Sequence, residues 1–376
     1  MNQYIHIISF DVPYPPNYGG VVDVYFKIKA LHEAGAKIIL HCFEYGRGKQ
    51  EKLNHICEEV FYYRRDENKL NFLKKLPYVV ASRENELLLE RLRKDEHPVL
   101  IEGLHNCWLL EALSEDRIKF VRTHNVEHDY YAGLAKVEKS MAKRQYYKWE
   151  ASKLEKFEEV LYKADMLLAI SPNDHAYFNK SYGNSELVPA FHSSEKVTCV
   201  EGKGKYALYH GNMAVNENIE AATFLMDKVF SDAQYELIIA GSGIGDELKL
   251  KAEQYSNVKL MSNVSVDQLD RLIQEAHVNV LPTFQPTGIK LKLLSALYKG
   301  RFAIVNDEMV SNTGLEPTCI KANTAKEWKD SVNAVFDEAF KQEDIDKRKG
   351  VLLEQFNNLE NAKNLLQRIE SLKVVS

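Results

Sequence analysis

The sequence predicts an α/β protein of two doubly wound, Rossmann-like domains facing a central cleft. Three observations predict it. Short apolar runs alternate with helical patterns from Tyr4 to Ile170; the same alternation restarts at Tyr206; and between Val188 and Lys205 it lapses into Pro, Ser, Lys and Gly. Strands alternating with helices imply parallel sheets covered on both faces. A chain of 376 residues is long enough for two such cores.

In the first half, Tyr4–Phe10 reads as a buried strand, followed by a Pro/Gly loop and an amphipathic helix over Gly20–Ala34 that stops at Gly35. Strands follow at Lys37–Phe43, Glu59–Tyr63, Pro98–Glu102 and Phe120–Thr123. Lys136–Ala164 reads as one long charged helix, and Met166–Ile170 as another buried strand. In the second half the strands are Tyr206–His210, Tyr235–Ala240, Val258–Met261, Val278–Leu281 and Phe302–Asn306. The helices between them are Ile219–Val229, Gly245–Gln254, Val266–Glu275 and Gly288–Tyr298, and Val351–Leu372 is a terminal helix. The expected organisation is a domain over residues 1–190, a linker over 191–205, a second domain over 206–350 and a helix in 351–376 that packs across the domains.

Composition narrows the function classes. Apolar residues make up 45% and charged residues 27%, as in a globular protein. A net charge of −5 argues against binding nucleic acid through bulk positive charge. Five scattered cysteines without a C-x-x-C pair suggest neither a disulfide framework nor a zinc site, and fit a cytoplasmic protein. No apolar run approaches the ~20 residues of a spanning helix.

Ligands of open α/β sheets bind beyond the carboxyl ends of the strands. Gly288-Ile289-Lys290 opens a helix after a strand and a Pro-containing loop, where free amides, the helix dipole, Lys290 and Lys292 suit a diphosphate; the alternative is an ordinary turn with two solvated lysines. Gly19-Gly20 opens the first helix and is either a phosphate-facing nest or a tight turn. His124 follows a strand among Arg122, Thr123, Asn125, Glu127 and His128. Glu127 either orients an imidazole or caps the next helix. Glu102 and His105, after the Pro98–Ile101 run, are second-rank candidates for the same cleft. Asp344-Ile345-Asp346 lies in a charged helical tail, so no metal site is expected.

Several of these loops, in order, resemble the group 1 glycosyltransferases (family 4). The matching stretches are "SFDVPYPPNYGG", "RTHNVEHDYY", "YHGNMAVNENIEAATFL", "LIIAGSG" and "VNVLPTFQPTGIKLKLLSALYKGRFAIV". The resemblance implies a GT-B fold and metal-free transfer of a hexose, with retained configuration, from a nucleotide-sugar donor to a glycan or lipid-linked acceptor. No cofactor beyond the donor substrate is implied. By the same resemblance His124 is the catalytic histidine near the donor sugar, and Gly19, Gly20, Asn125, Gly211, Gly288, Ile289, Lys290, Lys292 and Ser295 bind substrate. The family has two glutamates separated by seven residues, the second gripping the ribose; Thr287 and Ser295 stand in their places. That departure keeps a second reading open, a catalytically silent GT-B protein that binds a glycan or a partner transferase. A third, nucleotide-sugar epimerisation, would want catalytic carboxylates that the sequence does not place.

Residues 68–92 put Lys69, Lys74 and Lys75 beside Leu70, Phe72, Leu73, Leu76, Tyr78 and Val79. The stretch reads either as a helix packed on the first domain or as a peripheral contact with the inner face of a membrane.

Overall fold

The structure, a computed structural model, describes residues 3–138, 140–284 and 291–373. They form two compact units. One is built from residues up to His192 together with the C-terminal segment from Asn358; the other runs from Ser193 to Asn357.

The first unit carries a seven-stranded sheet, β1 (Gln3–Ser9), β2 (Ala36–Glu44), β3 (Glu59–Arg64), β4 (Val99–Glu102), β5 (Lys119–Thr123), β6 (Met166–Ala169) and β7 (Ser185–Leu187), in the order β3-β2-β1-β4-β5-β6-β7. The second carries six strands, β8 (Tyr206–His210), β9 (Glu236–Gly241), β10 (Val258–Ser262), β11 (Val278–Leu281), β12 (Phe302–Val305) and β13 (Ile320–Lys321), in the order β10-β9-β8-β11-β12-β13. Every pairing is parallel. The order reverses between β1 and β4 in one sheet and between β8 and β11 in the other, which is where doubly wound sheets leave a crevice.

The short strands are apolar on both faces because helices cover both. In β4 and β5, Leu100 and Phe120 enter one core while Val99, Ile101 and Val121 enter the other, as the period-2 alternation of a strand requires. The first of these cores also takes Val24 and Ile28 from the helix Gly19–Glu33, and Ala362, Leu365 and Ile369 from the helix Asn358–Lys373. All five cysteines are free thiols.

Three helical expectations are corrected. The stretch 136–164 is not one helix but Glu127–Val137, Met141–Phe157 and a short turn Glu158–Lys163. Glu138 and Ser140 are extended, and Glu138 Oε1 accepts the Ser140 amide at 2.8 Å. Charged residues tolerate a helix but do not enforce one, and folding back lets Tyr131 pack on Tyr147. The terminal helix is likewise two, Gln342–Gln355 and Asn358–Lys373. Residues 68–92 form three short pieces, Lys69–Leu73, Tyr78–Ala81 and Glu86–Leu92. Asn68 and Asn85 each cap a new start with the side-chain oxygen, which breaks the stretch up.

Candidate active site

At the carboxyl edge of the first sheet, five ionisable side chains meet. Asp23 and Lys27 lie one turn apart on the buried face of the helix Gly19–Glu33, Glu102 ends β4, Arg122 lies in β5, and His124 follows it. Asp23, Lys27, Glu102 and Arg122 are completely buried. Lys27 Nζ bridges the two carboxylates, 2.9 Å from Asp23 Oδ2 and 2.8 Å from Glu102 Oε1. Arg122 clasps Asp23 in a bidentate pair at 2.8 and 3.1 Å and also donates to the Val188 and Pro189 carbonyls. His124 Nε2 donates to Glu102 Oε2 at 3.0 Å. Buried charges are tolerable only when paired and hydrogen-bonded, and here two cations balance two anions. Burial alone would raise both carboxyls. Arg122 and Lys27 outweigh it at Asp23, and Lys27 and His124 outweigh it at Glu102, so both are held below the ordinary carboxylate range.

Asp23, Glu102 and His124 are also the one group of side chains, among the described residues, whose ligand atoms converge within 4.8 Å as a metal site would require. The Lys27 ammonium already stands between the two carboxylates, where a cation would sit, so the charge that an ion would neutralise is neutralised by the chain itself.

Phe10 closes this edge. Its ring meets His124 edge-on at 5.4 Å and lies 5.3 Å from the His105 ring. Gly20 lies close beneath it: a Cβ there would fall 2.7 Å from Phe10 Cζ and push the ring aside. Gly19 is exposed at the helix start. The neighbouring loop is braced by Tyr18, which donates to Asp11 Oδ2 at 2.7 Å. His105 Nδ1 is buried without a hydrogen-bond partner, and burial first, then Arg83 and His124, keep the ring neutral. Arg83 is itself buried and tied to the Phe10 and Val79 carbonyls.

The expectation that Glu127 orients an imidazole is corrected: that carboxylate is Glu102. Glu127 lies in the first turn of the next helix, buried, and burial followed by the nearby Glu158 and Asp174 pushes its carboxyl up to about 7. Asn125 sits half-buried beside His124. Glu102, expected to line a cleft, is completely enclosed and acts through His124.

The second unit has a different edge. β8 ends at His210, and the turn from Gly211 leads into the helix Asn216–Phe224. Asn212 Oδ1 accepts the Ala214 amide at 3.0 Å, and the Met213 amide donates to the Ser242 carbonyl at 2.7 Å, stitching this turn to the one after β9. The two turns approach so closely that a Cβ on Gly241 would lie 1.8 Å from the Gly211 carbonyl oxygen. Lys292, in the helix Leu291–Lys299, donates to Asn218 Oδ1 at 2.7 Å, and Ser295 lies one turn further along, half-buried. Burial, then Lys292 and Lys299, lower the His210 imidazole to about 3. Thr287, Gly288, Ile289 and Lys290 lie outside the described residues.

Asp23, Lys27 and Phe10 were not legible as site residues. Asp23 and Lys27 form an i,i+4 pair, which normally marks a solvated face. Their signal was their register with Val24, Ile28 and Leu31, which put them on the apolar side of the helix.

Comparison with known proteins completes the picture. Residues 204–338 match the family described as glycosyl transferases group 1. An uncharacterized 44.6 kDa protein in the cps region of Klebsiella pneumoniae is 28% identical over 330 residues, covering 82% of this chain and 84% of its own. Among solved structures, the lipopolysaccharide outer core galactosyltransferase WaaB superposes with a TM-score of 0.64 at 15% identity, over 97% of this chain and 99% of that one. Anabaena HepE in complex with UDP and glucose gives a TM-score of 0.65 at 9% identity, over 98% and 100%. The second unit thus resembles the group 1 glycosyltransferases, and the two doubly wound sheets share the GT-B fold of these solved structures.

Proposed function

We propose that the chain transfers a hexose, with retention of configuration and without a metal, from a nucleotide-diphosphate sugar to a glycan or lipid-linked glycan, on the cytoplasmic side of cell-envelope polysaccharide synthesis. The relative in a cps region and the UDP and glucose held by a structural neighbour support this reading. One observation carries it: His124 is pinned through Nε2 to a carboxylate that cannot move. That bond selects the Nε2–H tautomer, so Nδ1 carries the lone pair and accepts from a sugar hydroxyl. Among the described residues nothing bonds Nδ1. Lys27, by bridging Asp23 and Glu102, is the positioning residue behind this arrangement.

The second unit takes the nucleotide. The departing diphosphate is stabilised by backbone amides at a helix start and by Lys290 and Lys292, an electrostatic device that needs no ion. Ser295 offers the ribose a hydroxyl where the family has a carboxylate. The acceptor hydroxyl then attacks the oxocarbenium-like sugar from the face that the nucleotide leaves, and its proton passes to an oxygen of the departing diphosphate.

The test is a thermal-shift screen of UDP-, GDP- and ADP-sugars in EDTA, followed by turnover of His124→Ala. One nucleotide sugar should raise the Tm without magnesium. The variant should lose turnover far more than affinity for the free nucleotide, because its contact is with the sugar. Should no nucleotide sugar bind, the silent-binder reading favoured by Ser295 and Thr287 takes its place.

A further inference from the structure

Four large apolar side chains of the first unit stand in solvent on two elements far apart in sequence. Leu70 and Leu73, on the turn Lys69–Leu73, are 66% and 77% exposed; Met141 and Trp149, on the helix Met141–Phe157, are 81% and 44% exposed. The two elements are locked together. Phe72 stacks on Tyr78 at 4.1 Å and meets Tyr146 edge-on at 5.4 Å. Glu150 accepts the Tyr78 amide at 2.6 Å. Lys153 donates to the Phe72 carbonyl at 2.9 Å and lies 3.7 Å from the centre of the Trp149 ring. Leu73 and Trp149 therefore belong to two elements joined at one junction.

The surroundings are basic. Lys69, Lys75, Lys143 and Lys148 are exposed, and no ion pair engages them among the described residues. Lone exposed apolar residues are ordinary, but two protruding leucines, a methionine and a tryptophan set among free ammonium groups match one environment closely. We infer that this surface docks on an anionic lipid bilayer: the leucines and Met141 enter the acyl boundary, Trp149 sits at headgroup level, and the lysines meet lipid phosphates. A second copy of the chain fits less well, since it would bring like charges together and four side chains fall short of the area a stable dimer buries.

Topology gives the surface a use. The turn Lys69–Leu73 follows the carboxyl end of β3. The helix Met141–Phe157 runs back toward the start of β6, so its Met141 end lies at the carboxyl edge of the sheet, the edge that carries His124. A bilayer docked here presents a lipid-borne acceptor to that edge. Only this last step rests on the proposed transfer; the docking itself does not.

The experiment is co-sedimentation of the full chain with vesicles of phosphatidylcholine alone or mixed with phosphatidylglycerol, at low and high salt. The chain should pellet with the anionic vesicles, be released by salt, and ignore the neutral ones. Leu73→Ser combined with Trp149→Ser should weaken the partition at least tenfold. Lys75→Glu and Lys148→Glu should each weaken it about fivefold or more, from the attraction of one cation near an anionic surface. All variants should keep the parental Tm and nucleotide affinity, which separates failure of this surface from failure of the transferase reading. Equal pelleting with both vesicle types, variants that bind like the parent, or a dimer that Leu73→Ser dissolves would overturn the proposal.

Discussion

The carboxyl edges of the two sheets solve different problems with different materials. The first is built from charge: Asp23, Lys27, Glu102 and Arg122 cancel one another out of contact with water, and only His124 reaches the surface. The second is built from backbone: the turns after β8 and β9 are stitched amide to carbonyl with no room for a side chain, and its basic group Lys292 is held by an amide oxygen. A fixed ion-pair lattice gives an imidazole a direction. A glycine turn gives an anion amides and close approach. The contrast teaches that the first edge depends on mutual charge balance and the second on shape, so they should fail in different ways.

The largest effect is expected where shape decides. Gly241→Ala puts a methyl group inside the Gly211 carbonyl, and the backbone has nowhere to yield. The variant should lose more than about 3 kcal/mol in urea unfolding or leave the second unit unfolded, since overpacking of this severity exceeds the usual range. Parental stability would show the second edge to be softer than its geometry.

Removing one cation from the first edge comes next. Lys27→Met strands Glu102 and should cost about 3–5 kcal/mol, the usual result of breaking a buried pair. Adding Glu102→Gln removes the stranded charge, so the double variant should regain part of the loss; strict additivity would deny the coupling. In Glu102→Gln alone, nitrogen NMR should show His124 as a mixture of tautomers.

A third expectation concerns pH. Glu127 is raised from 4.5 to about 7 in the fold, so its contribution to stability is complete below pH 4.5 and is lost as pH rises through 7. That loss is at most about 3 kcal/mol. Glu127→Gln should abolish it, and the variant should gain on the parent in Tm between pH 4.5 and pH 8. An unchanged pH profile would place the titration elsewhere.

The smallest effect sharpens the second edge. Ser295→Glu should tighten nucleotide binding, and Lys292→Ala should weaken it roughly tenfold, as for one charge-assisted contact. If neither moves the Kd by more than about twofold, the nucleotide is not held on this face of the helix.

What the sequence disclosed follows from the range over which each signal acts. Apolar runs such as Val278–Leu281 located strands to within a residue or two, because burial on both faces leaves no alternative pattern. The strand Ser185–Leu187, just ahead of the apparent linker, went unread: three residues at a sheet edge carry too little periodicity to register. His124 was legible from its place after a strand, but its partner was not. Glu127 is three residues away and Glu102 twenty-two, and only the pairing of β4 with β5 decides between them. Lys27 was least legible of all, since an ammonium becomes a core residue only through carboxylates supplied by other elements.

The closing helix Asn358–Lys373 carries a consequence for how the molecule is made. It fills the core of the first unit with Ala362, Leu365, Leu366 and Ile369, beside residues synthesised some 330 positions earlier, such as Val24 and Ile28. Domains ordinarily fold one after another as the chain leaves the ribosome. This first unit cannot do so, because part of its interior emerges only after the whole second unit has been made. Until then its first helix has an apolar flank open to water, and nascent chains halted before residue 358 should be the ones that chaperones hold and proteases remove.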